Sequence, residues 1–316
     1  MRRSPGISAA VNAAQMTAVL AGIIVLFSLY SRNFISLKTF QSIANQIPSM
    51  LVIAVGMTFV LLIAGIDLSV GSVMALCGTV LSVALVDWHW GVLPAVLACL
   101  AAGAFCGLVN GLITAWWAIP SFIVTLGMLE MARGGAYLMT ASRTKYIGSS
   151  IDVISEPLIL GISLAFLAAL LMVAVGQLIL NKTILGRYIV GIGTNEESMR
   201  LSGIDSRPIK IAVFVFSGLL VAVASIFQCS RLEAADPNAG AGLELRVIAA
   251  VVIGGTSPLG GRGSVLTTFL GVLILSSLEY GLDQIGATDP VKRLITGAVI
   301  ISAVILDLYR KRFRAS

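Results

Sequence analysis

Five groups of residues in this 316-residue chain have types and spacings that could do chemistry. The first is the polar stretch from Gly186 to Ile204. Thr194 and Glu197 stand at capping-box spacing, so their side chains can satisfy free helix-end amides reciprocally. Asn195, Glu196 and Glu197 crowd the first turn, Arg200, Leu201 and Ser202 lie toward its end, and Gly203 suits the helix stop. This spacing predicts a short capped helix, which is either a solvated connector or a docking element for a partner.

The second and third groups are glycine-rich breaks. Gly65-Ile66-Asp67-Leu68-Ser69-Val70-Gly71 puts a carboxylate at the end of an apolar run. Gly254, Gly255, Thr256, Pro258, Gly260, Gly261 and Gly263 form a stretch that no regular helix would choose. Backbone of this kind is tolerated at membrane depth only where protein or a water-filled cavity covers it. Two broken or re-entrant segments beside a path are expected. Asp67 either caps the following helix at an interface or anchors the broken segment.

The fourth group comprises uncharged hydrogen-bonding residues on or beside apolar runs: Ser69, Ser72, Asn110, Ser121, Thr125 and Ser264. Together with Asp67, Gly255 and Thr256 they are the candidates to line a translocation path. Hydroxyl-rich solutes need groups that donate and accept, but helix-to-helix bonding is the commoner use of such residues in membranes. The fifth group is Glu130 and Arg133, three apart and able to pair on one helix face. A paired, inward-facing couple is one reading, and a proton relay is the other.

What is missing narrows the choice. Gly255 to Arg262 lacks the lysine of a phosphate-binding loop, and Gly191-Ile192-Gly193 lacks the third glycine of a dinucleotide fingerprint. With a single histidine (His89), four cysteines inside apolar runs and no CxxC pair, neither a zinc site nor a disulfide framework is expected. The chain is expected to bind no cofactor and no metal, and to carry no catalytic residues.

The elements that must hold these groups are set by composition. Hydrophobic residues make up 58% and charged residues only 11% of the chain, against roughly 25% charged in soluble domains. Ten apolar runs approach the roughly 20 residues that a membrane span requires: 16–31, 47–64, 69–86, 91–117, 120–141, 158–181, 211–230, 245–256, 264–282 and 293–309. The net charge of +6 suggests membrane orientation, with no role in nucleic-acid binding. Arg2 and Arg3 precede the first run, Arg310, Lys311, Arg312 and Arg314 follow the last, and Lys182, Arg187, Arg200, Arg207 and Lys210 fill the loop 182–210. An even number of spans puts all three on the cytoplasmic side. The expectation is a single all-α polytopic membrane domain over 1–316, with an N-terminal segment 1–15, a loop 182–210 and a tail 310–316 in the cytoplasm. Gly71-Ser72-Val73 and Gly263-Ser264-Val265 each follow a break, which hints at an internal repeat.

Five stretches in order resemble the ribose-type ABC sugar permeases. They are Gly65 to Ser72, Gly107-Leu108-Val109-Asn110-Gly111, Ile119 to Met128, Gly186 to Ile204 and Ile248 to Thr256. The resemblance runs from about residue 45 to 308. It departs at Arg246, where that family often has an acid, and at Glu130, where a small or neutral residue is usual. It implies a permease pair in a bacterial inner membrane, homo- or heterodimeric, importing a monosaccharide handed over by a periplasmic sugar-binding protein. ATP and Mg would sit on a separate cytoplasmic ATP-binding subunit docked on the 186–204 loop. An ion-gradient-driven secondary transporter, a passive channel, and an importer of a furanose-like signalling molecule are the alternatives.

Overall fold

The computed structural model describes residues 5–30, 34–299 and 301. The basic residues expected at the two termini, Arg2, Arg3 and the 310–316 tail, lie outside the described residues.

At the centre stands α3 (Pro48–Leu62), apolar on every side and buried at every residue except Met50. A helix without a polar face is stable only when surrounded. α10 (Ser206–Leu232), α7 (Leu164–Lys182), α11 (Leu243–Ile253) and α12 (Val265–Gln284) surround it. α2 (Leu37–Gln46) meets it at a 53° bend. Pro48 explains the corner, because it has no N–H to continue the helix of α2. The run expected at 47–64 therefore gains a bent partner that was not anticipated.

α10 packs most closely against α5 (Val92–Trp116). Gly103, Gly107 and Gly111, spaced by four, form one stripe of α5 that lies on Ile211, Phe214 and Gly218 of α10. Backbone touches backbone: a Cβ at Gly107 would overlap the Phe214 carbonyl, and one at Gly103 the carbonyl of Gly218. Small residues are the usual way to bring helices this close where lipid removes the hydrophobic drive. Beyond α5 lie α4 (Val70–Val86) and α6 (Ser121–Thr140), while α1 (Pro5–Tyr30) packs on α12.

One end of the bundle carries two small ribbons. β1 (Lys145–Tyr146) pairs with β4 (Ala234–Ala235), and β2 (Pro157–Ile159) with β3 (Ile162–Ser163). The second ribbon corrects the expected run 158–181. Leu160 and Gly161 take positive φ, the chain turns as a hairpin, and α7 starts only after Ser163, whose side chain accepts from Phe166 N. α1 also differs, since it is already helical at Pro5 rather than from 16.

Among the described residues five helices (α1, α5, α7, α10, α12) are long and apolar enough to cross a membrane, and α2 with α3 makes a sixth if counted as one bent span. α4 and α11 are shorter, at 17 and 11 residues. α6 is long enough at 20 residues but not apolar enough. The run expected at 293–309 begins as helix at 289 and passes out of the described residues.

A leucine at Gly107 would drive α5 off α10. Overpacking costs about 1–3 kcal/mol even where only side chains must move. Gly107→Leu should lower the thermal midpoint of the detergent-purified chain well below that of Leu108→Ala, a change at a half-exposed neighbour, as read by fluorescence-detected gel filtration after heating.

Candidate functional site

The first break opens where α3 stops. Ala64 takes a φ of +59°, residues 65–69 run without helix, and α4 begins at Val70. Two amides of this leg are satisfied by side chains of α6. Ile66 N donates to Ser121 Oγ at 2.8 Å, and Leu68 N to Thr125 Oγ1 at 3.0 Å. Thr125 in turn donates to the Ile66 carbonyl at 3.2 Å. Within the leg, Ser69 donates its N–H and its hydroxyl to Asp67 Oδ1, at 2.9 and 2.6 Å. Asn110 Nδ2 of α5 closes the chain on Ser69 Oγ at 3.1 Å.

Asp67, Ser69, Asn110, Ser121 and Thr125 are thus brought together, all buried, with polar atoms turned to the leg. Ser72 lies apart from this chain of bonds, buried in the first turn of α4.

The second break follows α11. Gly255 takes a φ of +87°, and Thr256 is buried with its hydroxyl unpartnered, close under Gly263. Ser264 starts α12 and donates to Gln177 Oε1 of α7 at 3.0 Å, the same oxygen that accepts from Leu266 N at 3.0 Å. Gln177 caps α12 from outside, a role that nothing in its own neighbourhood of the sequence announces.

The 186–204 stretch forms two helices, α8 (Ile184–Thr194) and α9 (Glu196–Leu201). The expected capping box is not formed. Thr194 is the last residue of α8 and donates to the Val190 carbonyl at 2.7 Å, while Glu197 holds Arg200 at 2.6 Å. Asn195, extended between the two helices, caps α9 instead by accepting from Ser198 N at 2.9 Å. Its extended backbone is the cap geometry that a helical Thr194 lacks. Gly203 ends α9 at a φ of +81°, as expected. Gly186 has no room for a side chain against the Leu180 carbonyl, whereas Arg187, Leu201 and Ser202 are exposed.

Glu196 fastens α9 to α10, accepting from Lys210 at 2.6 Å and Ser206 at 2.6 Å. Burial pushes its carboxyl up, but the Lys210 and Ser206 hydrogen bonds outweigh that and hold it below the ordinary range. Since the folded carboxyl is the stronger acid, its stabilising effect is full above the ordinary carboxylate range and lost as pH falls below it.

All three pieces meet at one point. Gly261 N donates to the Leu62 carbonyl at 2.9 Å, joining the second break to the end of α3. Gly193 of α8 is wedged between the same two groups: a Cβ there would overlap the Leu62 carbonyl and come 2.5 Å from Gly261 N. Gly260, at a φ of +85°, sits against the Gly193 carbonyl and Ala64. The end of α8 therefore touches both breaks. A cavity of about 750 Å³ opens beside the first break, walled by Gly65, Trp116, Ser121, Arg200, Arg207 and Lys210 among others.

The expected Glu130–Arg133 pair is not formed. Arg133 Nη1 donates to the carbonyls of Pro237 and Ala239, the latter at 2.9 Å, and Glu130 is exposed.

Thr125→Val keeps shape and removes the hydroxyl that bonds Leu68 N and the Ile66 carbonyl. Leaving buried polar groups unpaired costs about 1–3 kcal/mol each. The variant should lose several degrees in thermal midpoint, while Thr125→Ser should lose much less.

The chain matches the family model described as branched-chain amino acid transport system / permease component over residues 39–304. It is 40% identical over 299 residues to the ribose import permease protein RbsC of Escherichia coli K12, covering 90% of each chain. It is 33% identical over 314 residues to the L-arabinose ABC transporter permease protein AraH of Azospirillum brasilense, covering 99% of this chain and 92% of that one. It is also 33% identical over 301 residues to the autoinducer 2 import system permease protein LsrC of Yersinia pseudotuberculosis, covering 94% and 85%. No solved structure matches the chain. A match of this extent, on a helical bundle broken at two places that share one contact with α8, leaves one conclusion: the chain belongs to this family of transport-system permease components.

Proposed function

We propose that the chain is the membrane-spanning permease subunit of an ATP-binding-cassette importer that moves a monosaccharide. The observation that carries this reading is the wedge of Gly193 between Leu62 and Gly261, which ties an exposed pair of helices to both breaks in the bundle. Such a joint suits a protein driven from outside itself. In this reading α8 and α9 are the seat of a separate ATP-binding subunit, which holds ATP and Mg, and this chain has no ATPase site. A binding protein delivers the solute at the opposite end, and a second permease chain completes the path. The greater identity to the ribose permease favours a pentose-like sugar over the autoinducer, although both remain within the family's range.

The chain crosses a bacterial inner membrane about ten times, with both termini and the α8–α9 side in the cytoplasm. Support comes from the ends of the helices. Asp87 at the end of α4 pairs with Lys145 near the ribbons, while Leu62, Ala64, Gly193 and Gly261 gather at the other end. α4, α6 and α11 complete crossings that each would be too short or too polar to make alone, because the extended legs and neighbouring helices cover them. Membership of the family, with Arg133 bonded to carbonyls, leaves the ion-gradient alternative without a coupling pair.

The test is co-purification with ATP-binding subunits encoded beside the chain's gene, followed by ATPase and uptake assays in proteoliposomes with loaded binding protein. Wild type should bind the subunits, hydrolyse ATP faster with loaded binding protein, and take up sugar only with ATP inside. Gly193→Ala should still bind the subunits and hydrolyse ATP, but move at least tenfold less sugar per ATP. Uptake that follows an ion gradient without ATP would contradict the reading.

A further inference from the structure

On its exposed side α6 carries one carboxylate among the exposed apolar residues Ile123, Leu126 and Met131. Glu130 is the tenth of its 20 residues, exposed, and without an ion pair among the described residues. Its depth is fixed by two contacts of the same helix. Thr125 bonds the broken leg at Leu68, and Gly135 meets Leu76 of α4, so Glu130 lies between them, well inside the bundle's length. A carboxylate at such depth faces a bundle interior or a water-filled cavity, because hydrocarbon excludes it.

The surroundings of Glu130 point the same way. Arg133, the cation that could neutralise it, is occupied by the Pro237 and Ala239 carbonyls, and Tyr137 donates to Asn238 at 2.7 Å. These bonds hold the 237–239 segment against α6 and leave the carboxylate free. Gly127 and Gly134 flank it at one turn on either side, and a side chain at either would meet nothing within 4 Å. The two glycines therefore leave open space one turn to either side of the acceptor. α6 is also the helix that has the length of a span without the hydropathy of one.

We propose that Glu130 lines the solute path and accepts hydroxyl hydrogen bonds from a polyhydroxylated solute midway across, with Gly127 and Gly134 making room for its ring. A carboxylate accepts through both oxygens and can take two neighbouring hydroxyls at once. That geometry makes Glu130 a determinant of which solute passes. The inference rests on the importer reading above, and concerns a residue that reading does not use.

The test uses the full importer, with ATP-binding subunits and loaded binding protein, in proteoliposomes. Glu130→Leu should assemble normally and keep binding-protein-stimulated ATP hydrolysis within about twofold, while uptake per ATP falls at least tenfold. Glu130→Gln keeps an acceptor and should retain uptake with a several-fold higher KM. Its order of preference among sugars differing at one hydroxyl should change, which a merely structural residue would not cause. Wild-type uptake and preference in Glu130→Leu would overturn the proposal. So would separation of the two permease copies on gel filtration, which would make this face a contact between copies. Absence of ATP-driven uptake by the wild type is a different result, and sinks the importer reading itself.

Discussion

A backbone amide inside a membrane must find a partner, and in the segment 65–69 no helix backbone supplies one to the amides at 66, 68 and 69. Everything around the first break follows from that. Ser121 and Thr125 of α6 satisfy the amides at 66 and 68, Asp67 within the leg satisfies that at 69, and Asn110 of α5 bonds the Ser69 hydroxyl. Each unpaired group would cost several kcal/mol in hydrocarbon, so the leg is as firmly specified as a helix would be. The cost of breaking α3 from α4 is offset by hydrogen bonds that come from distant parts of the chain.

The break also leaves a carbonyl at Leu62, and this group links the fold to the function proposed for it. It receives Gly261 N from the second break, and the end of α8 lies directly on the pair. Glycines at 193, 260 and 261 keep the contact to backbone alone, so a displacement of α8 has no flexible side chain to absorb it. A rigid joint between a peripheral helix and two breaks is what the proposed drive by a partner subunit requires. Glu130 of α6 lies away from that joint, connected to it through the leg that Thr125 holds.

Much of this was legible in the sequence, for physical reasons. Long apolar runs such as those of α5, α10 and α12 announce themselves because little else accounts for so many consecutive apolar residues. Both breaks were legible because glycine and proline interrupt such runs. What could not be read was set by distance. The bend between α2 and α3 and the hairpin 157–163 hide inside hydrophobic stretches that satisfy a span pattern equally well. The capping residue moved by one because Thr194 and Asn195 are both good caps, and the backbone at 195 decides between them. Arg133 abandoned Glu130 for carbonyls 104 and 106 residues further on, which no local spacing could indicate. Gln177 capping α12 and Gly193 against Leu62 are contacts of the same kind.

Hydrogen–deuterium exchange of wild type in lipid nanodiscs, followed by peptides spanning residues 63–70, tests most directly whether side chains hold the first break. If they do, the amides of Ile66, Leu68 and Ser69 should exchange as slowly as those of the flanking helices α3 and α4, despite the absence of helix. Exchange of that segment at the rate of an open, solvated loop would contradict the account, because the leg would then be a wetted strand and the bonds from Ser121 and Thr125 incidental.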